Sequence, residues 1–79
     1  MSSEPIKKVM GEIFGMAPAE IPDDATMEEL EGWDSLNHME LMLAIEIEFG
    51  VRISTIAMLD LVSLEAISDF LKSQGVDSG

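Results

Sequence analysis

The chain has no cysteine among its 79 residues, so disulfides, thiolate metal centres and a thiol nucleophile are excluded. Any thiol chemistry would have to arrive on a cofactor. Basic residues are nearly as scarce. Four Lys and Arg face sixteen Asp and Glu, for a formal net charge of −12. A field of that sign repels nucleic acid and anionic membranes and attracts basic protein surfaces, besides keeping a small protein in solution. No apolar run approaches the ~20 residues of a membrane span. Residues 1–5 show no basic segment leading into an apolar stretch, so no secretory leader is expected and the chain reads as cytoplasmic. A length of 79 residues leaves no room for a second core, so one domain is expected over 1–79, ordered from about 4 to 74.

What is present is helical periodicity. Ile6, Val9, Met10, Ile13 and Phe14 fall on one stripe of a first helix over about 4–14. Pro5 suits its first turn, Ser3 could cap it, and Gly15 marks a left-handed stop. A long connection over 16–33 carries Pro18, Pro22 and six acids, so it needs anchors, which Ile21, Met27, Leu30 and Trp33 could supply. Within it, Thr26 and Glu29 have capping-box spacing and predict a short helical turn. A second helix is expected over 35–49, capped by Asp34 or Ser35 and ended by Gly50. Leu41, Ile45 and Phe49 form its core stripe with Ala44 beside them, and Leu36, Met39 and Leu43 lie on a neighbouring face. Val51-Arg52-Ile53 reads as an inward-tucked linker. Ser54 or Thr55 could cap a short third helix through Ile56, Met58, Leu59 and Leu61. Ser63 caps a fourth, with Leu64, Ile67, Phe70 and Leu71 at helical spacing and Gly75 at its end, leaving 76–79 as a frayed tail. The expected fold is all-α: a bundle of three longer helices and one short one, with a long first crossover.

Chemistry gathers at Gly32-Trp33-Asp34-Ser35-Leu36. Ser35 sits at a helix N-terminus, where free N–H groups and the helix dipole favour a phosphate. Gly32 would let the backbone turn tightly and leave room for a partner. Leu36, Met39 and Leu43, flanked by Glu40, Glu46 and Glu48, suit docking against a basic groove. Asp-Ser before an apolar helix is also a common cap, and physics alone stops at a helical bundle with a serine able to bear a phosphate.

The run Asp34-Ser35-Leu36, then 40–46 (ELMLAIE) and 48–53 (EFGVRI), resembles the acyl carrier proteins of fatty acid and polyketide synthesis over nearly the whole chain. The resemblance implies a non-catalytic carrier whose Ser35 receives 4′-phosphopantetheine from coenzyme A, through a phosphopantetheinyl transferase and a divalent metal. By the same resemblance Asp34 helps position that metal and the serine. Leu36, Met39, Glu40, Leu43 and Glu46 match the positions recognised by acyl-loading, synthase and acyltransferase enzymes with basic docking surfaces. The carrier is expected to be monomeric. Asn37, Ile47, Trp33 and a weakly acidic third helix depart from the usual pattern, which fits a specialised lipid, polyketide or other secondary pathway better than housekeeping fatty acid synthesis. The apolar third helix could widen a cargo pocket or form a partner surface, although a Met and Leu stripe is more often core.

Other readings are weaker. His38, three residues from Ser35, is expected to be an exposed helix residue. A serine hydrolase would also need an orienting acid and an oxyanion hole, and nothing supplies the latter. Asp23, Asp24, Glu28 and Glu29 lack the alternating ligands and central glycine of an EF-hand, so no dedicated metal site is expected. The competing function is an unmodified acidic helical adapter for a basic partner.

Overall fold

A computed structural model describes residues 4–76 and gives the expected all-α bundle. Helices α1 (Glu4–Phe14), α2 (Ser35–Phe49), α3 (Thr55–Asp60) and α4 (Leu64–Ser73) follow in order. No strand forms among the described residues, only an isolated bridge between Thr26 and Ser63. The proposed Ser3 cap lies outside the described residues.

Local chemistry sets the helix ends. Asp34, in extended backbone, accepts the Asn37 N–H at 2.8 Å and caps α2, so the cap is Asp34 rather than Ser35. Ser54 and Ser63 cap α3 and α4 through the N–H groups of Ala57 and Ala66. Left-handed glycines close α1, α2 and α4, at Gly15, Gly50 and Gly75. Val76, expected to begin a frayed tail, is instead held, while 77–79 lie outside the described residues. The Gly75 N–H donates to Lys72 O at 3.0 Å and the Val76 N–H to Leu71 O at 2.9 Å, with Val76 packed on the core. That pairing ties off the helix's last carbonyls, so Val76 belongs to the fold.

The core is built from Ile6 and Met10 of α1, Leu41, Met42 and Ile45 of α2, and Leu64, Ile67 and Leu71 of α4. Burying each such side chain contributes about 1.5–3 kcal/mol before entropy is counted. The crossover is ordered as its anchors require: Ile21, Ala25 and Trp33 are buried, while Met27 and Leu30 pack against the core. Two backbone bonds, Met27 N–H to Val62 O and Leu64 N–H to Ala25 O, pin it to the α3–α4 junction. Thr26 accepts the Glu29 N–H at 3.2 Å, making the expected turn. A second turn, the 3-10 helix Pro18–Glu20, escaped the sequence reading; the Glu20 carboxylate secures it by accepting the Ala17 N–H at 2.8 Å.

Gly11 carries a prediction whose sign differs from propensity. Glycine inside a helix normally costs about 1 kcal/mol relative to alanine. Here a Cβ would lie 2.5 Å from the Met16 carbonyl oxygen, a backbone atom held by the Met16 N–H bond to Gly11 O. Gly11→Ala is therefore expected to destabilise by roughly 1–3 kcal/mol, read as a lower urea midpoint. A raised midpoint would show that the crossover yields freely.

Charge carries another. Asp23, Asp24, Glu28, Glu29 and Glu31 are all exposed along the crossover, and one ion pair, Lys7–Asp23, forms among the described residues. One pair, with its Asp23 carboxylate exposed, offsets little of the repulsion among the remaining acids. Added salt or millimolar magnesium should raise the melting temperature, by about 4–8 °C for each kcal/mol relieved. An indifferent melting temperature would remove acid repulsion as a significant destabilising effect.

Candidate functional site

Asp34 and Ser35 stand where the crossover enters α2. Because Asp34 Oδ1 makes the cap, the Ser35 hydroxyl is left with no hydrogen bond among the described residues, and the serine is exposed. The N–H groups of Ser35 and Leu36 lie in the first helical turn without helical partners. A hydroxyl that is neither cap nor core is free to be substituted, and a phosphodiester on it would meet the positive end of the α2 dipole. Beside it opens a groove of about 630 Å³ lined by Met27, Trp33, Asp34, Ser35, Val62 and Ser63. This exposed serine and adjoining groove fit a long phosphate-linked arm. Among the described residues no cluster of His, Cys, Asp or Glu could hold a metal ion, and no helix is long and apolar enough to cross a membrane.

The turn before Ser35 is built differently from expectation. Gly32 has no positive φ, and a Cβ there would come 2.9 Å from Phe14 Cβ, so its bareness serves packing against Phe14. Asn37 donates Nδ2–H to the Gly32 carbonyl at 2.8 Å. A carboxylate could not donate that bond. Trp33 is buried against Phe14, with ring centroids 5.7 Å apart.

His38 corrects the sequence reading most. It is 7% exposed rather than a surface residue. The Trp33 Nε1–H donates to His38 Nδ1 at 3.0 Å, and His38 Nε2 lies 2.7 Å from the Met58 carbonyl oxygen. An indole nitrogen can only donate and a carbonyl oxygen only accept, so the two contacts assign a neutral ring protonated at Nε2. A signal for its burial existed: 38, 41, 42 and 45 share one helical stripe with three core residues.

The expected partner-facing residues divide. Leu36, Met39, Glu40 and Leu43 are exposed on α2, joined by Ile47, and Leu36 is 72% exposed. Leu36, Glu40, Leu43 and Ile47 recur along one outer stripe. Glu46 is instead half-buried, and its Oε2 accepts the Ile53 N–H at 2.8 Å, bracing the linker into α3. The apolar stripe of α3 divides: Leu61, just past the helix, is buried in the core and Met58 packs against it, but Ile56 and Leu59 face solvent at 75% and 72%. Val62, 38% exposed, lines the groove beside Ser35.

A family model described as the phosphopantetheine attachment site matches residues 4–71, most of the 79-residue chain. The chain therefore belongs to the phosphopantetheine-binding carrier family, whose domains covalently bear 4′-phosphopantetheine, interact with enzymes and are not themselves catalysts.

Proposed function

We propose that this chain is a single-domain, monomeric acyl carrier whose Ser35 hydroxyl bears the phosphopantetheine arm. The observation that carries this reading is the free, exposed hydroxyl of Ser35 at the first turn of α2. When attached, the arm supplies a terminal thiol for acyl cargo, which the cysteine-free chain does not possess. Ser35 provides the oxygen to which the phosphate is joined. Asp34 keeps Oδ1 on the Asn37 N–H, and its other oxygen, without a hydrogen bond among the described residues, is the group proposed to meet the transferase's divalent metal. Leu36, Met39, Glu40 and Leu43 form an apolar patch with an acid in it, which suits basic docking surfaces on loading, synthase and acyltransferase enzymes. Exposed Ile47, Ile56 and Leu59 favour a dedicated lipid or polyketide pathway, because they offer partners apolar as well as acidic contacts.

Incubation with coenzyme A, magnesium and a broad-specificity transferase tests the proposal. Intact mass should rise by one phosphopantetheine, and fragmentation should place it on Ser35. No adduct on folded protein would favour an unmodified adapter that docks through the same patch.

Asp34→Asn separates the two roles of Asp34. Asparagine caps as well as aspartate, so stability should stay within about 0.5 kcal/mol. Removing the charge that meets the metal should slow modification about a hundredfold or more. Modification at the unaltered rate would leave Asp34 with its capping role only.

A further inference from the structure

Helix α3 is lightly held. It contributes no buried residue of its own, and two of its six side chains are large apolar groups facing solvent. Among the described residues, the side-chain hydrogen bond joining it to α2 is His38 Nε2–H to Met58 O, at 2.7 Å. The other side of the same ring holds Trp33, two residues before Ser35, through a 3.0 Å bond. His38 lies one helical turn beyond Ser35, so one imidazole connects the turn that presents the serine to helix α3. Both bonds use the ring in a single tautomer, and no other neutral side chain of similar shape offers an acceptor and a donor at those two positions.

We propose that His38 is a positioning residue that braces the Ser35 turn and α3 together, one ring nitrogen fixing Trp33 and the other fixing Met58. This rests on Ser35 as the attachment residue. The brace orders the turn for the transferase and keeps α3 closed against α2.

Two conservative variants divide the ring. Asparagine places an acceptor near Nδ1 and lacks reach to Met58; glutamine places a donor near Nε2 and has nothing at Nδ1. The measurements are the Trp33 indole N–H resonance, amide exchange at Met58 and Leu61 of the α3 turn, and transferase kinetics with coenzyme A. His38→Asn should keep the indole resonance and modification rate near wild type while α3 amides exchange about fivefold faster, the effect of one neutral hydrogen bond. His38→Gln should keep α3 protection, shift the indole resonance and lower kcat for modification about fivefold with KM unchanged. A purely structural histidine would move both regions together in both variants, and that result overturns the proposal. So does a wild-type indole resonance in His38→Gln, or unchanged exchange in His38→Asn. If His38→Gln fails to fold, His38→Asn alone decides. Should wild-type protein take its arm elsewhere than Ser35, the attachment reading fails by itself, while the indole and exchange measurements still decide the brace.

Discussion

Ser35→Ala is expected to remove the whole phosphopantetheine adduct from the intact-mass spectrum while leaving the urea midpoint unchanged or slightly raised. The first half follows from chemistry, because no bond to phosphate forms without the hydroxyl. The second half follows from the cap. A serine that capped α2 would take about 1 kcal/mol with it when truncated. Asp34 holds that position, with its Oδ1 2.8 Å from the Asn37 nitrogen, and the Ser35 hydroxyl makes no hydrogen bond among the described residues. Ser35 is instead the first helical residue, where alanine is the better helix former by up to about 0.5 kcal/mol. The paired outcome is more demanding than loss of modification alone, since a misfolded variant would also fail to react. A persistent adduct would move the attachment to another hydroxyl. A loss of about 1 kcal/mol with no adduct would return the cap to Ser35 and leave Asp34 free for other work.

Such a division of labour between adjacent residues was only half legible in the sequence. Helix limits could be read because their determinants are local: Ser54, Ser63, Gly15 and Gly50 act within a turn of where they stand. The choice between Asp34 and Ser35 as cap, one residue apart, needed backbone geometry. Side chains whose partners lie far along the chain were less accessible. His38 reads as polar and therefore exposed until Trp33 and Met58, five and twenty residues away, are brought to it. Glu46 reads as surface charge until the Ile53 N–H, seven residues on, claims it. The exposure of Ile56 and Leu59 also depends on tertiary placement, because an apolar helix face carries no mark of whether anything covers it. Val76 is different: an apolar residue following a helix-closing glycine is a local signal for continued packing, and the Val76 N–H bond to Leu71 O bears it out.

The largest stability effect should come from Trp33. Trp33→Ala removes a buried ring packed against Phe14 and leaves a void, a change that costs about 3–5 kcal/mol. It also strands His38 Nδ1, a buried acceptor whose lost partner adds about 1–3 kcal/mol. A domain of this size has roughly 4–12 kcal/mol in total, so the variant should be partly unfolded at room temperature. Trp33→Phe divides the loss. It retains part of the aromatic packing near Phe14 but removes the indole N–H and some ring volume, so it should cost less than the alanine variant, about 1–4 kcal/mol. Both need far-UV circular dichroism in a urea titration, because the chain's single tryptophan is the residue removed. If the phenylalanine variant matches wild type, the indole bond contributes no stability and an aromatic ring against Phe14 is all the position requires. If the alanine variant also loses less than about 1 kcal/mol, the crossover does not depend on its final anchor, and the turn before Ser35 must be held by Asn37 on Gly32 instead.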